Sequence, residues 1–527
     1  MNKKYFLKRM LTIGGLIILS ASVYAQKANW QNLDLKTDSV FGISTEKAYT
    51  ELLKGKKSVP VIVAVLDGGV DYNHEDLKRV IWLNKKEITG NGLDDDKNGY
   101  VDDIHGWNFL GGKEGSVEHE ALELTRLVRR DQQRFAGLTE ATIGEKDKEA
   151  YQTFLNNRKK LEEGLATAKS NYAGISGFKA ALDMLLKKMG KETPTAEDIS
   201  NYQPQDERES RVKSALLEVL KQFDFKTFYE DQIVAGVKYY GDQVQYNYNV
   251  DYDPRNIVGD DPQNSRERFY GNNDVKGPDA LHGTHVAGII GADRGNQLGI
   301  KGVANNVLIM GVRNTPNGDE RDKDVANAIR YAADNGAKVI NMSFGKAYSW
   351  DKAVVDDAVK YAVSKDVLIV QAAGNENQNI DVDANFPSRK YLDGGIATGY
   401  IVVGASGAKD DETLKAPFSN YGQTSVDVFA PGQAIYSTTP ENTYKNEDGT
   451  SMAAPVVSGL AALIRSYYPK LSAVQVKEII LKSVVKIEHS ISNLNGGTAE
   501  NVPFSSLCVS GGIVNAYNAL KLAATYK

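Results

Sequence analysis

Residues 325–345 read VANAIRYAADNGAKVINMSFG, and this stretch sets the fold class. Val325, Ala328, Ile329 and Ala332 recur at the spacing of one helical face. Asn335-Gly336 ends the helix, and AKVINMSFG resumes as an apolar strand. The exchange repeats: KAVVDDAVKYAVSK (352–365) reads as amphipathic helix, DVLIVQAAGN (366–375) as strand and YIVVGAS (400–406) as another. Upstream, VPVIVAVLD (59–67) is a near-continuous apolar run, the pattern of a strand buried on both faces. Strand and helix in alternation predict an α/β fold, a doubly wound and mostly parallel sheet with helices on both faces. Such sheets bind ligands at the carboxyl ends of their strands, so chemistry is expected just beyond them.

The rest of the chain changes texture twice. MNKKYFLKRM supplies a basic start, LTIGGLIILSASV an apolar stretch and Val23-Tyr24-Ala25 a small-x-small site, the pattern of a signal peptide over 1–25. Export to the periplasm or the exterior is expected. The apolar run is short for a membrane span, and no later segment has the length for one. A short N-terminal segment follows over 26–58, then a first part of the core over 59–112. From 113 to 240 the sequence is charged and helix-favouring, and Leu161, Leu165, Ala168 and Tyr172 keep helical spacing. Phe178, Ala181, Leu182, Leu185 and Leu186 do the same, as do Val212, Ala215, Leu216, Val219 and Leu220. This reads as a helical insertion, with the core resuming over 241–527. A formal net charge of -5 gives no basic surface for nucleic acid. The single cysteine, Cys508, forms no internal disulfide.

Four residues fall where the sheet predicts chemistry. Asp67 closes the strand VIVAVLD, His282 opens HGTHVAGII, Asn375 ends VLIVQAAGN, and Ser451 lies in GTSMAAP at the head of the apolar helix VVSGLAALI. Singly each has a plain structural reading: a turn aspartate, a core histidine, a turn asparagine, a helix-capping serine. Together they supply what acyl transfer by a serine requires: a nucleophile, a base, an acid group to orient the base, and an oxyanion donor. His285 rivals His282 but falls about one helical turn away and is expected to pack inside. A peptide-binding module without activity has no need of all four groups.

These residues carry a family resemblance. AVLDGGVD, HGTHVAG, NMSFG with QAAGNE, and GTSMAAP resemble the motifs of the subtilases, serine endopeptidases in which Asp, His and Ser follow in this order. APFSNYG, VDVFAPG and SGGIVNAYNAL support it, and the likeness spans about 59–110 and 279–524. It implies that Asp67 orients, His282 is the general base, Ser451 attacks, and Asn375 with the Ser451 N–H receives the oxyanion. It also implies that a peptide substrate lies against Ser343, Phe344 and Gly345, with Ala372, Ala373 and Gly374 on the opposite wall. The sequence departs from the family in three places. Gly68 stands where a serine or threonine is usual. Asp67 and His282 are 215 positions apart, against a few dozen in compact relatives. Residues 26–60 are too few for a folded inhibitory prodomain. Because the insertion leaves after Asp67 and returns before His282, it is expected to restrict access to the cleft.

NGLDDDKNGYVDDIHGWNF (91–109) has its own logic. Asp94, Asp96 and Asn98 alternate, Gly99 turns, and Tyr100 offers a carbonyl, as in the first half of a calcium-binding loop. His105 stands where the closing glutamate is expected, so Asp102 or Asp103 is the candidate to complete the shell. A structural calcium ion is expected here, and no cofactor for catalysis.

Overall fold

The structure is a computed structural model describing residues 27–495 and 498–526; the expected signal segment lies outside the described residues. Its contacts divide the chain into two compact units, one of residues 124–252 and one formed by the chain before and after it.

The larger unit is built on nine strands: β1 (Val61–Asp67), β2 (Gly106–Asn108), β3 (Val307–Arg313), β4 (Val339–Met342), β5 (Leu368–Ala372), β6 (Tyr400–Ser406), β7 (Val428–Pro431), β8 (Val485–Lys486) and β9 (Gly512–Ile513). Their order across the sheet is β8-β9-β7-β6-β5-β4-β1-β3-β2. Every pairing is parallel except β8 with β9. The predicted α/β sheet is therefore present.

Side-chain alternation divides the core into two layers. Val63 and Val65 of β1 pack in one apolar cluster with Val370 and Val403, while Ala64 and Leu66 face the other with Ile340 and Ile369. The first layer is covered by helices α1 (Leu281–Gly291) and α4 (Thr450–Tyr467), the second by α2 (Asp322–Asp334) and α3 (Lys352–Ser364). A strand buried on both faces has no polar side to alternate, which explains the continuous run VIVAVL. The segment after residue 26 belongs to this unit: Trp30, Ile43 and Leu53 are buried in the first layer, and Ala516 N–H donates to Ile43 O at 2.7 Å.

In helix α4, Pro455 stands past the first turn, inside the helix. Proline has no N–H, so the carbonyl four residues earlier, that of Ser451, lacks its helical partner. The Ser343 hydroxyl fills the place, donating to Ser451 O at 2.9 Å.

The helical unit is organised around a 42-residue helix, Lys148–Met189, ended by Gly190 in the left-handed region (φ 61°). Thr195 and Asp198 form a capping box for Ala196–Asn201, and Glu207–Val219 follows. Leu182, Leu185, Val212 and Leu216, all on the helical spacing of the sequence, bury together with Phe225, Phe228 and Tyr240. Residues 228–234 and 243–247 are π-helical, which no periodicity in the sequence announces. Residues 113–123 belong to the sheet-bearing unit, where Glu120 N–H donates to Asn317 O at 3.2 Å.

Candidate active site

Parallel neighbours bring the carboxyl ends of β1, β4 and β5 to one edge, and α1 and α4 start near it. Asp67 is the last residue of β1 and is buried. His282 sits in the first turn of α1, which packs against α4. Its Nδ1 lies 2.8 Å from Asp67 Oδ1 and 2.9 Å from Oδ2. Gly283 permits this approach, because a Cβ there would stand 2.2 Å from Gly69 O. Asp67 Oδ1 also accepts from Gly68 N–H at 2.7 Å, so the glycine's backbone still supports the carboxylate where the family has a hydroxyl. Burial works against a charged His282, but the charge and hydrogen bond of Asp67 outweigh it, and His282 titrates above the ordinary histidine value.

His285 has a different environment on the same helix. It is fully buried, its Nε2 bonds Lys445 O at 3.0 Å, and burial pushes its pKa down to about 4. That is a neutral core histidine.

Ser451 occupies the first turn of α4, where a backbone N–H has no partner within the helix. Its hydroxyl donates to Ser343 O at 3.0 Å rather than to His282. Ser343 and Ser451 thus exchange bonds in both directions. Beneath them Asn341 Nδ2 donates to Ser343 Oγ at 2.9 Å, and Ser458 Oγ to Asn341 Oδ1 at 2.8 Å.

Asn375 follows β5. Its Oδ1 accepts from Thr450 N–H at 2.8 Å and from Thr450 Oγ1 at 2.9 Å. Two donors on the oxygen fix the amide's orientation and leave Nδ2 as its donating end. Ser343, Phe344 and Gly345 follow β4, and Ala372, Ala373 and Gly374 end β5 and continue beyond it. The sequence reading missed the segment that links these two stretches. Lys346 and Phe386 exchange backbone bonds of 2.9 and 2.8 Å, and Asn385 Nδ2 donates to Ala373 O at 3.2 Å. No motif marks 385–386.

The acidic loop is partly rearranged from its expected form. Glu87, Asp94 and Asp96 bring carboxylate oxygens within 4.8 Å of one another, a hard oxygen set suited to calcium. Glu87 lies outside the loop and was not anticipated. Asn98 N–H donates to Asp94 Oδ1 and Asp96 Oδ1 at 3.0 and 3.1 Å, and Tyr100 N–H to Asn98 Oδ1 at 2.8 Å. Asp102 and Asp103 carry hydrogen bonds of their own. Asp102 accepts from Gly90 and Gly92 N–H at 2.8 and 2.9 Å. Asp103 accepts from Asn84, Asn98 and Tyr331 at 2.7, 3.0 and 2.6 Å.

With this geometry in hand, the similarities to known proteins are specific. The model of the subtilase family, peptidase family S8, matches residues 59–502. A thermophilic serine proteinase of Bacillus sp. (strain AK1) is 38% identical over 240 residues, 45% of this chain and 52% of that protein. The chain thus spans about half the length of that relative. Thermitase of Thermoactinomyces vulgaris is 37% identical over 241 residues, 46% of this chain and 75% of thermitase. Among solved structures, one of proteases from Pseudoalteromonas arctica PAMC 21717 is 28% identical, covering 48% of this chain and 78% of that one, with a TM-score of 0.39.

Proposed function

The chain belongs to the subtilase family, and on that premise we propose that it is an exported serine endopeptidase working through Asp67, His282, Ser451 and Asn375. The observation that carries this reading is the contact of both Asp67 oxygens with His282 Nδ1. An Nδ1–H held by a carboxylate fixes the tautomer whose Nε2 lone pair is free to act as a base. His282 Nε2 takes the Ser451 proton as Oγ attacks the peptide carbonyl carbon. The oxyanion is received by Asn375 Nδ2–H and the Ser451 N–H. As the tetrahedral species collapses, His282 returns the proton to the leaving amine. Water, activated by the same imidazole, then hydrolyses the acyl-enzyme and frees Ser451.

Extended peptides are the substrate class, lying between residues 343–345 and 372–374. Export rests on the signal-like pattern of residues 1–25. Among the described residues no helix is long and apolar enough to cross a membrane. Glu87, Asp94 and Asp96 would hold a structural calcium ion, which neutralises their mutual repulsion and has no part in bond cleavage.

A fluorophosphonate probe should label the purified protein at Ser451 and leave Ser451→Ala unlabelled. The same substitution should lower kcat on the order of 10⁶-fold, the scale set by subtilisin itself. Peptidase activity within about tenfold of the parent would remove the assignment.

A further inference from the structure

Asn375 stands on irregular backbone. Loops hold catalytic groups loosely unless other side chains lock them, so the support of residues 373–378 bears directly on the oxyanion donor. Every backbone N–H of this stretch has an acceptor. Ala373 N–H donates to Val403 O and Asn377 N–H to Phe418 O. Gly374 N–H donates to Thr450 Oγ1, and Asn375 N–H to Glu376 Oε2. The remaining two, from Glu376 and Gln378, both end on one atom, Asn420 Oδ1, at 3.0 and 2.8 Å.

The other end of the same amide completes the hold. Asn420 Nδ2 donates to Ala373 O at 2.9 Å and to Glu376 Oε2 at 3.1 Å. Asn420 N–H donates to Gly374 O at 3.0 Å. Asn420 is 3% exposed, buried against Gly374, whose φ is 101° and where a Cβ would stand 2.4 Å from Asn420 Nδ2. Five bonds from one residue thus grip the loop on both sides of Asn375. Glu376, which accepts the N–H of Asn375, is itself held by Asn420.

We infer that Asn420 is a positioning residue of the oxyanion site: its side chain sets the backbone from which Asn375 presents Nδ2 to the developing charge. The inference rests on the serine-peptidase reading above. It assigns Asn420 no contact with substrate. Its main effect passes through Asn375, so removing it should impair the transition state more than ground-state binding.

A double-mutant cycle on the full-length protein, read with a small peptide substrate, tests this. Asn375→Leu alone should lower kcat on the order of 10²–10³-fold, the loss found for the matching donor of subtilisin. Asn420→Ala alone should lower kcat by about tenfold or more, with a smaller proportional change in KM. In the Asn375→Leu background, Asn420→Ala should change kcat by less than about twofold, because the group it positions is gone. An equal loss in both backgrounds overturns the inference, as does a change confined to KM or no loss in the single variant. Should Asn420→Ala fail to fold, Asn420→Ser is put through the same cycle with the same criteria. If the parent protein cleaves no peptide and takes no fluorophosphonate, the peptidase reading has failed. If the parent is active and Asn375→Leu shows its loss while Asn420 variants do not, only the positioning role has failed.

Discussion

The sheet-bearing unit and the helical unit place their strongest ion pairs differently. Besides surface pairs such as Lys482–Glu478, the first holds buried ones: Lys346 meets Glu123 and Asp322 at 2.5 and 2.8 Å with side chains almost fully enclosed, and Arg255 meets Asp260 and Asp324 at 2.5 and 2.9 Å. In the second, pairs such as Arg211–Glu207 and Lys179–Asp183 lie along helix surfaces. Breaking a buried pair costs about 3–5 kcal/mol, whereas an exposed one contributes about 0–1 kcal/mol. The sheet-bearing unit is therefore intolerant of change where its strand ends meet. The helical unit is held chiefly by its apolar seam and can vary its surface. Fixed geometry lies where proton transfer is proposed, and freedom lies where a surface can be adapted.

The sharpest way to break this contrast is to neutralise one buried charge at the strand ends. Asp67→Asn should lower kcat on the order of 10⁴-fold, as in other triads, by releasing the His282 tautomer. The pH profile supplies the mechanism. Activity needs neutral His282, so kcat/KM should fall as pH drops through a value above the ordinary histidine pKa, because Asp67 raises it. Without the carboxylate that midpoint should move down. Coincident midpoints in the two proteins would contradict the role given to Asp67. His285 stays neutral throughout, having been pushed down to about 4 by burial.

A smaller effect is expected from the acidic loop. Calcium at about 100 times its Kd stabilises a fold by about 2.7 kcal/mol, worth roughly 2–3 °C in Tm for a chain of this length at about 2 cal/mol/K of unfolding entropy per residue. Chelation should lower the melting temperature by this order, and Asp96→Ala should abolish the response. A melting curve indifferent to chelator would leave Glu87, Asp94 and Asp96 as a solvated turn.

Replacing residues 124–252 by a short Gly/Ser linker should have the smallest effect on chemistry. The remaining protein should fold and cut a small peptide at the parent rate while cutting a folded protein faster, if the insertion restricts access. Insoluble protein would show that the helical unit assists folding instead. Unchanged rates on both substrates would leave it neither role.

Legibility in the sequence followed the same division. Four of the nine strands, β1, β4, β5 and β6, were readable because burial on both faces leaves unbroken apolar runs such as VIVAVL; the other five were not read as strands. Asp67, His282, Asn375 and Ser451 were singled out because the sequence places each at or just past a strand end or near a helix start. Asn420 was quoted only within APFSNYG, in support of the resemblance, and was given no role: it lies 45 positions after Asn375, and its significance is a set of bonds across the fold. Glu87 escaped for a related reason, since a loop template counts only residues within the loop. Asp102 and Asp103 fitted that template by spacing, but the grouped carboxylates are those of Glu87, Asp94 and Asp96. In the helical unit spacing revealed the seam, yet π-helical turns shift the period and stayed hidden.

The ends of the excursion carry a consequence for how the chain assembles. Arg321 bonds Glu120 Oε2 at 2.7 Å and Asp253 Oδ1 at 3.2 Å, so one guanidinium joins the residues where the chain leaves and re-enters the sheet-bearing unit. Within the helical unit, Thr125 Oγ1 donates to Asn247 O at 2.7 Å and Arg129 to Tyr252 O at 2.9 Å, so its own two ends are tied together as well. Each doubling of a loop costs only about 0.6 kcal/mol in closure entropy, so the excursion is a light burden on equilibrium stability. Its weight falls on rate, which depends on how far apart in the chain contacting residues lie. A helical unit that has already closed on itself removes its length from the search. With the helical unit closed first, His282 would meet Asp67 across the shorter remainder of the chain.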